Sequence, residues 1–266
     1  MPTEQTVTYR RIGGQELQME VFRSDSSAGP RPGVLFIHGG GWNGGKRSTF
    51  HWHARELARR GYVTASASYR LASVALDPAA LDDCQCAMRW LRKHAGELGL
   101  APDRLGVFGS SAGGHLVACL GVRDTREDVE PDLQGFSSRA QCVVDVHGVH
   151  DLAAMKGHRT ETSLVRFLGG TLEEKPEAWR DASPIHFVSS ADAPFLLIHD
   201  PKDPTVPYDQ SVRMAGALMQ AGCPVEFQPS LGSGHGFVYD PEKPWTRRVW
   251  PVACAWLDRW LNGPAE

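Results

Sequence analysis

Two spacings of apolar residues alternate along this chain. Continuous apolar or β-branched runs mark strands, and apolar positions three and four apart mark helices. TVTYRR (6–11) and ELQMEVF (16–22) are β-rich and flank Ile12-Gly13-Gly14-Gln15, which predicts a hairpin. Val34–Ile37 is wholly apolar and runs into glycines, as a parallel strand buried on both faces does. A helix is predicted over 51–61, ending at Gly61, then a strand over 62–70. Leu81, Cys84, Ala87, Met88 and Leu91 have helical spacing within 79–96. Beyond them come a strand at 104–109, a helix at 112–122 and a polar surface connection at 123–141. Strands at 142–148, 194–200 and 224–230 alternate with a mixed segment at 149–193 and a helix at 209–222. The terminal helix, 245–261, is expected to bend at Pro251. Strands alternating with helices give an α/β fold: a mostly parallel sheet with helices on both faces and an N-terminal antiparallel hairpin. The 266 residues suit a single domain spanning 1–266, with 149–193 as a small lid insertion.

Composition narrows the function classes. Hydrophobic residues at 41% and charged residues at 22% are ordinary globular values, which excludes disorder and fibrous repeats. A net charge of −3 gives no basic surplus for nucleic acid. No apolar run approaches the ~18 residues that span a bilayer, so no membrane partner is expected. The N-terminus lacks the pattern of a secretory leader. The expected location is cytoplasmic, with a removed leader left open. Six cysteines, mostly flanked by apolar residues, read as buried thiols rather than a disulfide set.

The strongest chemical signal is Gly109-Ser110-Ser111-Ala112-Gly113, a G-x-S-x-G pattern between a predicted strand and a predicted helix. That is the setting of a nucleophile elbow, where a sharp turn lifts the serine above the sheet and needs small residues two before and two after it. The bland alternative is a glycine-rich turn with an idle serine. His38-Gly39-Gly40-Gly41-Trp42 follows an earlier strand. Such glycines let backbone N–H groups approach a ligand, which names Gly40, Gly41 and Ala112 as oxyanion donors. His38 reads as an orienting residue under that loop, and His115 as structural.

Elbow enzymes place the acid and then the histidine after the nucleophile. Of eleven histidines, only His235 lies beyond residue 199, in the loop Gly232-Ser233-Gly234-His235-Gly236-Phe237 after the last strand. Asp200, Asp203 and Asp209 all follow the 194–200 strand. Asp209 sits at an expected helix N-cap, where its carboxylate would serve backbone N–H groups. Asp203 is favoured over Asp200, with Asp151 a distant alternative. His38, His51 and His53 invite a metal reading, but no carboxylate or cysteine at ligand spacing supports it. No metal and no cofactor is expected.

These motifs together resemble the α/β-hydrolase carboxylesterases of the bacterial feruloyl/acetyl-xylan esterase-like group, relatives of the hormone-sensitive-lipase and kynurenine formamidase families. HGGGW (38–42), SYRLA (68–72), DRLGVFGSSAGGHLVA (103–118), DASPIHFVS (181–189), HDPKDPTVP (199–207) and GSGHGF (232–237) match in order, over roughly residues 15–262. The resemblance implies an α/β-hydrolase fold and a Ser111–Asp203–His235 triad, the family's acid falling in an H-G-x-x-D-x-x-V-P pattern. Asp200 stands where that pattern has Gly, and is expected either to disturb the charge around His235 or to face solvent. Residues 73–77 and His150 also depart from the family.

The expected activity is hydrolysis of short-chain carboxylic esters, acetyl- or feruloyl-type and including sugar-borne ones, through an acyl-enzyme. The alternatives are an arylformamidase-like amide hydrolase on the same residues and a non-catalytic ligand-binding module of this fold. Trp42 and Phe237 are expected as apolar walls for the substrate. The expected partner is a small ester, and a homodimer is left open.

Overall fold

The hairpin predicted for 6–22 opens the computed structural model, which describes residues 2–24 and 29–263. It pairs β1 (Thr3–Ile12) with β2 (Gln15–Arg23), and β2 runs antiparallel to β4. The chain then passes through β3 (Arg31–Ile37), α1 (His51–Arg59), β4 (Val63–Ala67), α2 (Ala79–Lys93), α3 (Ala95–Leu98), β5 (Leu100–Ser110) and α4 (Ala112–Val122). β6 (Val143–Val146), α5 (Glu161–Leu168), α6 (Pro176–Asp181), β7 (Phe195–His199), α7 (Asp209–Ala221), β8 (Val225–Pro229) and α8 (Pro244–Leu261) complete it. One eight-stranded sheet results, in the order β1-β2-β4-β3-β5-β6-β7-β8, parallel from β4 onward. This is the mostly parallel α/β arrangement that the alternation of elements predicted, with the antiparallel hairpin at one edge.

The period-2 geometry of a strand explains why the central strands are apolar throughout. In β3, Leu35 and Ile37 enter one core, and Val34 and Phe36 enter the other. In β7, Phe195 and Leu197 enter the first, and Leu196 and Ile198 the second. α2, α4 and α7 cover the first face, whereas α1 and α8 cover the second. α4 is buried along its whole length, which is why AGGHLVACLGV is apolar all round rather than striped.

Several details differ from the sequence reading. The predicted helix 79–96 is two helices, and the second ends at Gly99, whose φ of 65° forms a left-handed C-cap. The 123–141 connection is tied down rather than merely superficial: Asp124 pairs with Arg89, while Asp128 and Glu130 pair with the buried Arg10. Asp209 is the first residue of α7, not its cap, and its carboxylate binds Arg213 one turn on. All six cysteines are buried and free. No helix among the described residues is long and apolar enough to cross a membrane.

His53 carries an acid-stability prediction. It lies fully buried in a box of Phe50, Phe108, Trp52 and Trp250, and neither ring nitrogen has a hydrogen-bond partner. Burial pushes its pKa down to about 3. The unfolded chain therefore takes up this proton near the ordinary value of about 6.5 while the folded one resists it. Stability drains as pH falls from there toward 3. Asp77, pushed up to about 7 by burial, acts in the opposite sense, so the comparison is between parent and variant. His53→Leu should be more stable than the parent. The gap should widen below pH 6.5 by up to about 1.4 kcal/mol per pH unit. Urea unfolding at pH 7.5 and pH 5 checks this, and a constant gap would refute it.

Candidate active site

The site sits where the parallel strands end, the usual place for ligands in such sheets. At the end of β5 the chain turns sharply at Ser111, whose φ of 58° is outside the usual range for a residue with a side chain. The two elbow glycines make that turn sterically feasible. A Cβ on Gly109 would lie 2.2 Å from the Gly113 carbonyl oxygen, and one on Gly113 would lie 2.1 Å from the Ile37 oxygen. Ser111 N–H donates to the Val146 oxygen at 2.9 Å, which ties the turn to β6. The serine hydroxyl stands at the start of α4.

The loops after β7 and β8 bring two further predicted residues to it. His235 Nε2 lies 3.1 Å from Ser111 Oγ, and His235 Nδ1 lies 2.7 Å from Asp203 Oδ2. The other oxygen of Asp203 accepts the N–H groups of Thr205 and Val206, at 2.7 and 3.1 Å. Burial works against the charged form of Asp203. Hydrogen bonding from His199 and His235, the charge of His235 and the Thr205 N–H outweigh it and hold the carboxyl well below the usual range. An ionised carboxylate on Nδ1 leaves Nε2 as the free base facing the serine, the arrangement that removes a proton from a hydroxyl.

A cavity of about 350 Å³ opens onto Ser111 and His235. Gly40 and Gly41 border it, with φ values of 120° and 59°. The Gly40 carbonyl receives the N–H groups of Asn43 and Gly44, closing a tight turn. Ala112 opens α4 directly after Ser111, and its side chain is not among those lining the cavity. His38 lies beneath, stacked on Tyr69 at 4.4 Å, and the Tyr69 hydroxyl bonds to the His38 carbonyl. Val149, Met155, Thr160, Ser163 and Leu164, from between β6 and β7, also line the cavity, and Ser163 lies next to Gly41.

Trp42 lines the cavity as expected. It stacks on Phe167 of α5 at 4.7 Å, and its indole N–H donates to Nδ1 of His115. The other nitrogen of His115 bonds to the Ala182 carbonyl. Burial pushes the pKa of His115 down to about 4, so it serves as a neutral bracket for Trp42. Phe237 does not line the cavity. It is fully buried in the α1/α8 core, because the short turn Phe237–Tyr239 points residue 237 inward and presents Tyr239 to the cavity instead.

Among the described residues, the only metal-sized His/Asp grouping is His147, Asp203 and His235. Asp203 and His235 already satisfy each other by a hydrogen bond. His38, His51 and His53 do not form such a group.

A family model for BD-FAE matches residues 19–218. The chain belongs to the BD-FAE family of α/β-hydrolase carboxylesterases. Among curated proteins, esterase LipC of Mycobacterium tuberculosis is 30% identical over 81% of this chain and 55% of its own length. Esterase LipQ of the same organism is 28% identical over 84% of this chain and 54% of its own. The chain thus spans about half the length of these relatives. Among solved structures, the esterase Est2 of Thermogutta terrifontis superposes with a TM-score of 0.85 at 28% identity, covering 98% of this chain and 95% of that one. Est2 with butyrate bound superposes at 0.84, with 27% identity, over 98% and 96% of the two chains. Est2 phosphonylated by sarin superposes at 0.86, with 28% identity, over 100% and 98%.

This member of the BD-FAE family departs from the sequence reading at Asp200. Its carboxylate does not face solvent. It is 1% exposed, with Oδ1 accepting Lys202 N–H at 3.0 Å and Oδ2 accepting Gly234 N–H at 2.6 Å. Asp200 therefore ties the acid loop to the histidine loop. Burial opposes its charge, and the backbone donors of Lys202, Gly234 and Gly232 lower its pKa regardless. Tyr239, His147 and Ser110 also escaped the sequence reading. Ser110 had a signal, its place beside Ser111, and His147 had one in opening the segment His147–Leu152 that resembles the family's, whereas Tyr239 had none.

Proposed function

We propose that this chain is a serine carboxylesterase acting on short-chain esters, acetyl- or feruloyl-type, including esters carried on sugars. The observation that carries the reading is the unbroken relay from Asp203 through His235 to Ser111 at the floor of a cavity. Ser111 Oγ attacks the ester carbonyl as His235 Nε2 takes its proton. The carbonyl becomes a tetrahedral oxyanion, which the N–H groups of Gly40, Gly41 and Ala112 bind. His235 returns the proton to the leaving alcohol. Water, activated by the same imidazole, then releases the acid from the acyl-enzyme. Asp203 holds the Nδ1–H tautomer and balances the imidazolium charge.

The short acyl preference is supported by the size of the cavity and by the butyrate held in Est2. The small insertion between β6 and β7 acts as a partial lid through α5. Each extra buried CH₂ contributes only about 0.8 kcal/mol, and a modest cavity soon runs out of room to bury more. A p-nitrophenyl ester series is expected to give kcat/KM highest for about two to four acyl carbons, with a steep fall by about eight. A maximum at ten carbons or longer would sink the short-chain reading. Running acetylated xylan and methyl ferulate beside it identifies the alcohol side.

A further inference from the structure

The described residues other than glycine that adopt a positive φ are Trp42, Ser111 and His147, at 59°, 58° and 44°. Such conformations are costly and persist where the surroundings enforce them, often at functional sites. Trp42 and Ser111 already belong to the cavity. His147, just beyond β6, has no role in the relay described above.

His147 is fully buried, and its ring lies 4.2 Å from the His235 ring at a tilt of 39°. Its backbone N–H donates to the Ile198 carbonyl at 2.8 Å. Its Nε2 lies 2.8 Å from Ser110 Oγ, which in turn lies 3.0 Å from the Tyr239 hydroxyl. Tyr239 also reaches the Ser110 carbonyl at 3.4 Å. One proton assignment satisfies all three contacts. Tyr239 donates to the carbonyl, Ser110 donates to Tyr239, and His147 Nε2–H donates to Ser110. Nδ1 of His147 is then a bare lone pair, with no partner among the described residues. Burial, with the neighbouring His235 and His199, keeps this imidazole neutral.

We infer that His147 is a positioning residue for His235, resting on the reading of His235 as the base. The two hydrogen bonds of His235, to Asp203 and Ser111, lie at the ring's edge and resist out-of-plane tilt poorly. The loop that carries it is rich in glycine, with Gly232, Gly234 and Gly236 at φ values of 80°, 69° and 71°, and the Asp200 bond to Gly234 N–H holds its backbone rather than the tilt of the imidazole. A second ring, pinned through Ser110 and packed against it at a 39° tilt, supplies the missing constraint. Because His147 stays neutral, it also presents a π face rather than a second positive charge when His235 carries the proton. The other charged or titratable groups around His235 are Asp203, His199 behind Asp203 at 3.5 Å, Asp200 through Gly234, and Tyr239.

The test uses His147→Leu, which removes the flat face, and His147→Phe, which keeps it but loses the bond to Ser110. Steady-state kinetics on p-nitrophenyl butyrate separate kcat from KM. Proton NMR follows the low-field signal of the His235 Nδ1–H bonded to Asp203. His147→Leu should lower kcat on the order of 10- to 100-fold at nearly constant KM and broaden or abolish the low-field signal. His147→Phe should recover most of both. Unchanged kcat and signal in the Leu variant would overturn the inference. So would equal damage in the Leu and Phe variants that tracks thermal stability, since that is a packing defect alone. Should the Leu variant not fold, His147→Asn takes its place, since asparagine tolerates the positive φ and carries no ring; it is expected to lower kcat and broaden the signal, and a parental result would overturn the inference. If the parent hydrolyses no ester, the proposed function fails, and the NMR comparison alone decides the role of His147.

Discussion

Ser111→Ala is expected to lower kcat on short p-nitrophenyl esters by at least on the order of 10³-fold while leaving the fold intact. The hydroxyl is the atom that would bond to the acyl group, and its contact is with His235 Nε2 at 3.1 Å. Among the described residues, Ser111 Oγ is the hydroxyl within hydrogen-bond distance of His235 Nε2. The turn itself survives the change. Ser111 N–H keeps its bond to Val146, and the two elbow glycines keep their close approach. Serine and alanine have a similar penalty at a φ of 58°, so the backbone strain is shared by both proteins. Circular dichroism and melting temperature should match the parent. Turnover above a few per cent of the parental rate would remove Ser111 from the nucleophile's place.

The second large effect separates two neighbouring carboxylates. Asp203→Asn should lower kcat by on the order of 10⁴-fold, because an amide cannot hold the Nδ1–H tautomer or balance the imidazolium charge. Asp200→Asn should cost less, about 10- to 100-fold. A solvent-facing Asp200 would have cost almost nothing. Instead its two oxygens bond to Lys202 and Gly234, and an amide can accept at only one of those positions. The unbonded N–H that remains lets the glycine-rich loop shift and carries His235 out of line. The reverse ranking would move the acid to Asp200, and equal damage from both variants would overturn the expected difference between them. Parallel measurement of kcat and KM for both decides it.

The sequence alone determined the frame of this protein. β3 and β7 read as strands because both of their faces are buried, so every position is apolar, and the two helix spacings between them stand out by contrast. The elbow was legible because Gly109 and Gly113 answer to backbone atoms within a few residues or on the adjacent strand, a requirement that leaves a short local pattern. Asp203 and His235 were legible for a related reason. Each sits in a loop just past a strand end, and the order of strands brings those ends together. The tertiary structure alone decided what fills the space around them. Whether Phe237 or Tyr239 borders the cavity depends on the direction of one short turn against the α1/α8 core. Asp200 is 34 residues from the Gly234 it holds, and Tyr239 is 129 from Ser110. The His147 ring packs 4.2 Å from the His235 ring although 88 residues separate them along the chain. Contacts like these have no period and no spacing, because they are made between loops whose separation along the chain is arbitrary. Only packing the sheet and its helices brings such loops within hydrogen-bonding distance, and the chemistry of the neighbours follows from that packing.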